Sequence, residues 1–452
     1  MEPENVRHSF DSMSKGDQCP DCPRGKVYKY EPAVMVRVTG QAPYSAKRHI
    51  RDRLRCSACG AVFSADLPAE VLADGEPGQL YGNSARSVMA ISKCLAGEPY
   101  YRQQSVQSLY GIKLSASTIF DQCEYAANDL QPVWREVLKL AANAQVFYID
   151  DTTNRISDQN GMYKPKRGTD KLQWRTGVYS SAMLAVYDDV DETGMGCKRR
   201  LVLYQTSIGH AGEWADEVLG PRDSSLPPPT VISDALSSNR VSVVEVLDAK
   251  CNVHSRRNFV EVRSHFPSGM DAILELYRQI WVNDAHCRNE QHSDEQRQQY
   301  HHTHSLPVMQ TLQGWFEYAL SEKTQDAVLP PLDSTVPESL HHIEPNSSLG
   351  AAMSYLLNHY DKLTQYCHYP GIPIDNNEIE RLIKLVVRNR KNAGYFRTQA
   401  GAWVGDMLTS MIAICQENGV NAFEYLTAIQ CNRVAVRANP GAWLPWNYTQ
   451  SV

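Results

Sequence analysis

Three carboxylates stand out for their chemistry. Asp150 follows the short apolar run Val146-Phe-Tyr-Ile149, Asp234 follows Thr230-Val-Ile-Ser233, and Glu380 lies one turn into a helical pattern. Behind Glu380 the chain turns basic: from Arg381 to Arg397 there are six Lys/Arg and no Asp/Glu. Acids at strand ends and at a helix start, backed by cations, suit a divalent-metal site that handles phosphates. Each also has an ordinary reading. Aspartate at a strand end is common turn chemistry, and Glu380 could pair with Lys384 on one helix face. Asp151 is read as a neighbour, because alternation along the strand sends it to the other face.

The elements around these residues decide whether they can meet. Val146–Ile149, 177–187 and 200–205 read as strands, 212–219 as a helix, and Thr230–Ser233 as a buried strand. A helix over 238–247 and a strand over 250–253 complete the run. Three strands, helix, strand, helix, strand is the element order of a ribonuclease-H-like mixed sheet. There the first and fourth strands are neighbours, which would bring Asp150 beside Asp234. The helix carrying Glu380 opens after Pro373 with Asp375-Asn376-Asn377, short polar side chains suited to a first turn's free amides. Its apolar stripe is Ile379, Leu382, Ile383 and Val386.

The first 70 residues carry a second metal signature. Cys19-Pro-Asp-Cys22 and Cys56-Ser-Ala-Cys59 are two paired thiols, enough to close a structural Zn²⁺ site in a zinc ribbon. Between Arg24 and Arg55 there are nine Lys/Arg against two Asp/Glu, so Arg48, Arg51 and Arg53 are candidate phosphate contacts. Residues 71–143 read as helical: 83–95, 100–110, and a third helix from a Ser115-Ala-Ser-Thr118 start through Tyr125, a possible helix-turn-helix. Cys251-Asn-Val-His254 offers one thiol and one imidazole, too few for zinc, and is expected to support the site by packing or hydrogen bonding. Arg256 and Arg257 follow it.

At 452 residues the chain can hold several domains, and its net charge of −6 gives no overall basic character. Twelve cysteines without a secretory leader are expected to be reduced or metal-bound. No long apolar run suggests a membrane span, so a cytoplasmic location is expected. Residues 286–304 hold five histidines and read as an exposed helical hairpin, and 328–345 as a surface loop.

The chain resembles the insertion sequence 66 family of transposases, DDE-type enzymes of bacterial mobile elements. The matching residues run in order. They are the paired Cys-x-x-Cys, Tyr101-Arg-Gln103, Gly111-Ile112, Asp150-Asp-Thr152, Ser233-Asp234 and Cys251-x-x-His254-x-x-Arg257. Pro345-Asn-Ser-Ser-Leu-Gly-Ala351, Asp375-Asn-Asn-x-x-Glu380-Arg381 and Arg390-Lys-Asn392 follow. Two positions depart from the usual pattern: Asp151 stands where the family has Glu, and Ala235-Leu236 where it has Gly-Tyr. Many relatives also carry a long heptad-bearing helix ahead of the ribbon; with 18 residues before Cys19, a coiled coil there is not expected.

The resemblance implies Asp150, Asp234 and Glu380 as a catalytic triad holding two Mg²⁺ (or Mn²⁺) ions. It implies double-stranded DNA, both element ends and target, as substrate, with Arg256, Arg257, Arg381, Lys384, Arg388, Arg390 and Lys391 on the backbone. Self-association on DNA and accessory proteins of the same element would accompany it. The implied layout is a zinc ribbon (1–70), a helical DNA-binding segment (71–143) and a ribonuclease-H-like core (144–260). A helical insertion (261–345), C-terminal helices completing the core (346–430) and a tail (431–452) follow. A DNA-binding repressor that has lost turnover is the alternative.

Overall fold

The computed structural model describes residues 14–21, 24–28, 42–165, 171–191, 193–321 and 336–451. It divides into two units, 1–45 and 46–452. In the smaller, the described residues form a tight turn in which Gln18 bridges Lys26 and the Cys19 amide donates to the Gly25 carbonyl at 2.9 Å.

The larger unit opens with the hairpin β1 (Arg53–Arg55) and β2 (Val62–Ser64), then helices α1 (Ala69–Ala73), α2 (Asn83–Cys94), α3 (Tyr100–Leu109) and α4 (Ala116–Ala142). The Ser115 side chain caps α4 as its sequence suggests, accepting from the Thr118 amide. The helix does not stop near Tyr125, however. Its stripe of Ile119, Cys123, Ala126, Leu130, Val133, Val137 and Ala141 continues fully buried, and that burial carries the helix past Pro132.

A five-stranded sheet forms the centre, built from β3 (Val146–Asn154), β6 (Val178–Val190), β7 (Gly196–Ile208), β8 (Thr230–Ser233) and β9 (Leu247–Lys250). A separate hairpin of β4 (Met162–Pro165) and β5 (Leu172–Arg175), which the sequence reading did not anticipate, lies between β3 and β6. The order is β7-β6-β3-β8-β9. β3 runs antiparallel to β6 and parallel to β8, and β9 continues parallel to β8. The architecture is therefore mixed α/β, a mixed sheet flanked by helices, and compatible with a ribonuclease-H-like core.

Helix α5 (Ala211–Leu219) packs on β3 and β6. No helix spans 238–247; a short 3₁₀ turn (Ser237–Asn239) is followed by extended chain, and the strand begins earlier, at Leu247. The segment Val241-Ser-Val-Val-Glu-Val246 is β-branched at four of six positions, which disfavours helix.

Helices α6 (Asn252–Val262), α7 (Pro267–Asn289), α8 (Asp294–His304), α9 (Leu306–Leu320), α10 (Ser348–Leu363) and α11 (Gln365–His368) follow. His301 is not on an exposed hairpin surface: it is 1% accessible and its Nε2 lies 3.3 Å from buried Asp284, which also receives Arg288 and Arg297. A buried carboxylate needs such partners, and pulls one face of α8 inward. Of the 328–345 loop, 328–335 fall outside the described residues, and the remainder holds a short 3₁₀ turn (Glu338–Leu340).

The last helices are α12 (Asn377–Ala393), α13 (Gln399–Glu417), α14 (Ala422–Cys431) and α15 (Arg433–Ala438). Helix α13 lies along the outer strand β7 and satisfies its backbone with side chains. Ser410 accepts from the Tyr204 amide, Asp406 from the Thr206 amide and hydroxyl, and Asn418 exchanges bonds with the Arg200 amide and carbonyl. Burial pushes the Asp406 carboxyl up to about 7, against the Thr206 donors. Because its folded value is raised, the stability it contributes is full below about pH 4 and lost as pH rises through 7. Thermal unfolding from pH 4 to 8 should therefore show wild type losing up to roughly 4 kcal/mol relative to Asp406→Asn; parallel pH profiles would contradict this.

Candidate active site

The register of the sheet sets the first two carboxylates level. Phe147 pairs with Val231 and Tyr148 with Ile232; two residues further on, the same register puts Asp234 beside Asp150. β3 does not end at Asp150. It runs on to Asn154, because the longer partner β6 continues the ladder, with Asp150 opposite Ala182. What ends near Asp150 is the pairing with β8, which leaves Asp234 on the turn beyond it. There Asn239 Nδ2 donates to Asp234 Oδ1 at 2.8 Å, and the Leu236 amide donates to the same oxygen.

Glu380 is carried on α12, which is clamped to β3 at both ends. At its start, Asn376 is not a side-chain cap. It is 1% accessible, its Nδ2 donates to the Ile149 carbonyl at 3.1 Å, and its amide donates to Cys251 Sγ at 3.2 Å. Asp375 accepts from the Asn377 amide instead. At the other end, Phe396 pairs with the chain just after β3, its amide donating to the Arg155 carbonyl and its carbonyl accepting from Ser157. Gly405 of α13 makes room for it, since a Cβ there would lie 2.9 Å from the Phe396 ring. Arg390 donates to Thr152 and Thr153 of β3.

Burial, aided by the charges of Asp234, Asp151 and Glu380, raises the Asp150 carboxyl to about 7 against donation from the Asp151 amide. Glu380 does not pair with Lys384. Its Oε2 is 3.7 Å from Arg257, and its Oε1 is 3.6 Å from His254 Nε2. Cys251, His254 and Glu380 have potential ligand atoms within 4.8 Å of one another. Burial pushes the Cys251 thiol up to about 12. Asp151 faces the opposite side of the strand, where its Oδ2 meets His210 Nδ1 at 2.8 Å and the Ala211 amide.

The basic candidates divide. Arg381 pairs with Glu417 at 2.8 Å, Arg388 donates to the Leu95 carbonyl and Arg390 to β3, so these three hold α12 in place. Lys384, Lys391, Arg256 and Arg257 are exposed on or near the same helix. Arg48 and Arg53 are exposed, and Arg51 donates to the Ala65 carbonyl.

Of the four paired cysteines, Cys56 and Cys59 form a knuckle in which the Cys59 amide points to Cys56 Sγ at 3.5 Å. Donation from the Cys59 and Ala58 amides lowers the Cys56 thiol to about 7, which favours the thiolate that metals require. Cys19 belongs to the other unit and Cys22 lies outside the described residues.

A family model described as Transposase IS66 family matches residues 78–403. The chain belongs to this family. The matched span contains all three acids and the Cys251–Arg257 motif. Among relatives, the chain is 23% identical over 414 residues to the uncharacterized protein y4jD of Sinorhizobium fredii, covering 89% of this chain and 72% of that one. It is 20% identical over 418 residues to y4hP of the same organism, covering 89% and 68%. IS66-family membership supports a transposase-like, DNA-processing role with DNA as the substrate. Among the described residues of this transposase-family chain, no helix is long and apolar enough to cross a membrane.

Residues that sequence reading passed over turn out to frame the site. Asn376 reads as a helix cap but serves as the α12–β3 tie. Asn252 is a bystander inside Cys251-x-x-His254, yet its Nδ2 donates to the Leu363 and Ile374 carbonyls, both at 3.0 Å. Replacing Asn376 with Ala strands the buried Ile149 carbonyl. Urea unfolding should show a loss of about 1–3 kcal/mol; an unchanged midpoint would mean the tie contributes nothing.

Proposed function

We propose that this chain is a DNA transposase that cuts element ends and joins them to target DNA, with Asp150, Asp234 and Glu380 as the three acids of one site. The observation that carries the reading is the β3–β8 register, which sets Asp234 level with Asp150, beside the α12 that carries Glu380; the raised Asp150 carboxyl agrees with it. A hard divalent cation, Mg²⁺ or Mn²⁺, fits such an all-oxygen carboxylate set. Asn239 and the Leu236 amide orient Asp234, and the clamp on α12 orients Glu380. When bound, such ions lower the proton affinity of an attacking oxygen and offset charge on the leaving one.

In cleavage, a water oxygen bonds to phosphorus as the bond to the 3′ oxygen breaks, leaving a 3′ hydroxyl and a 5′ phosphate. In joining, that 3′ hydroxyl oxygen attacks a target phosphodiester and displaces its 3′ oxygen. Lys384, Lys391, Arg256 and Arg257 face solvent where a backbone would run, and Arg381, Arg388 and Arg390 act by holding α12. A ribonuclease-H-like core, a structural Zn²⁺ with Cys56 and Cys59 among its ligands, and a DNA-gripping segment over 71–143 complete the proposal. So do a helical insertion over 261–345 and self-association on DNA.

The test is nicking of supercoiled DNA carrying the element's ends. Asp150→Ala, Asp234→Ala and Glu380→Ala should each lose Mg²⁺-dependent nicking by roughly 100-fold or more, while Asp151→Ala should keep most of it. Protonated Asp150 is a poor cation ligand, so the Mg²⁺ requirement should relax as pH rises toward and through 7. End binding without cleavage in the wild type would favour the repressor reading instead.

A further inference from the structure

We propose that a ring nitrogen of His254 is a ligand of the cation position at Glu380, so that this position prefers a transition ion such as Mn²⁺ to Mg²⁺. The inference rests on the three-acid reading above and specifies its metal.

The spacing of His254 and Glu380 suits a shared ion. At 3.6 Å, Nε2 and Oε1 are too far apart for a hydrogen bond, yet near enough to be bridged. Glu380 Oε1 is buried without a hydrogen-bond partner among the described residues, a costly condition that an ion between it and His254 Nε2 would relieve. Arg257 faces the other oxygen, Oε2, and so leaves Oε1 open.

The two side chains are also held in register. His254 lies in the first turn of α6, and Asn252 beside it bonds to the Ile374 carbonyl, two residues before the Asn376 tie that starts α12. Farther along α6, the Ser255 hydroxyl meets Tyr277 OH at 2.6 Å. Cys251 completes the cluster without being needed as a ligand: it is fully buried and its sulfur receives the Asn376 amide.

An imidazole changes what the position selects. Mg²⁺ takes oxygen and keeps its waters, whereas nitrogen donors strengthen binding along the first-row series. The second carboxylate position, at Asp150 and Asp234, has only oxygen and should take Mg²⁺ and Mn²⁺ more evenly.

The full chain can be tested with Mn²⁺ alone as the probe. Pulsed EPR of bound Mn²⁺ should show ¹⁴N coupling from imidazole in the wild type, which needs no variant. His254→Gln should abolish that coupling, keep Mg²⁺ binding by calorimetry, and shrink the Mn²⁺-over-Mg²⁺ preference by roughly tenfold. Bound Mn²⁺ without nitrogen coupling, or an unchanged preference in His254→Gln, overturns the inference while leaving the three-acid site standing. Two Mn²⁺ ions still bound at full affinity, with nitrogen coupling kept, in Asp150→Ala would support the histidine ligand and overturn the three-acid reading; loss of one ion with the coupling kept supports both. No Mn²⁺ binding by the wild type overturns both.

Discussion

The hold of β3 on α12 is the constraint on which this architecture turns. Asp150 is buried within reach of the charges of Asp234 and Glu380, and its carboxyl is raised. Any shift of α12 would move Glu380 relative to it. The chain prevents this by clamping α12 to β3 at both ends, through Asn376 to Ile149 and through Phe396 to Arg155 and Ser157. Packing in the core therefore fixes where Glu380 sits relative to β3.

The clamp also explains why a helix so rich in cations is not simply a DNA-facing surface. Three of its arginines are committed to the protein, on Glu417, Leu95 and β3. Their removal would loosen Glu380 as much as it would weaken a phosphate contact. The exposed lysines Lys384 and Lys391 carry no such double duty.

The β3–β8 pairing and the start of α12 were legible in the sequence, because buried strands and amphipathic stripes leave periodic signatures. The juxtaposition of Asp150 and Asp234 followed from element order. What could not be read was set by tertiary contacts. Asn376 looked like a cap because Asx residues usually cap; only the neighbouring strand shows that its amide goes elsewhere. The extended 241–246 segment reads as part of a helix in the element order, although its valines speak against it. The passage of α4 through Pro132 depended on a buried stripe outweighing a local rule. His301 looked exposed among glutamines until Asp284, seventeen residues earlier, drew it inward.

The relation of α13 to β7 has a consequence for assembly. An outer strand with free amides and carbonyls is a template on which another copy can extend the sheet. Here Ser410, Asp406 and Asn418 already occupy that template along much of its length. Two molecules gathered at neighbouring DNA ends would have to meet through helices and loops rather than by zipping sheets across this border, so they could part again without unravelling a ladder.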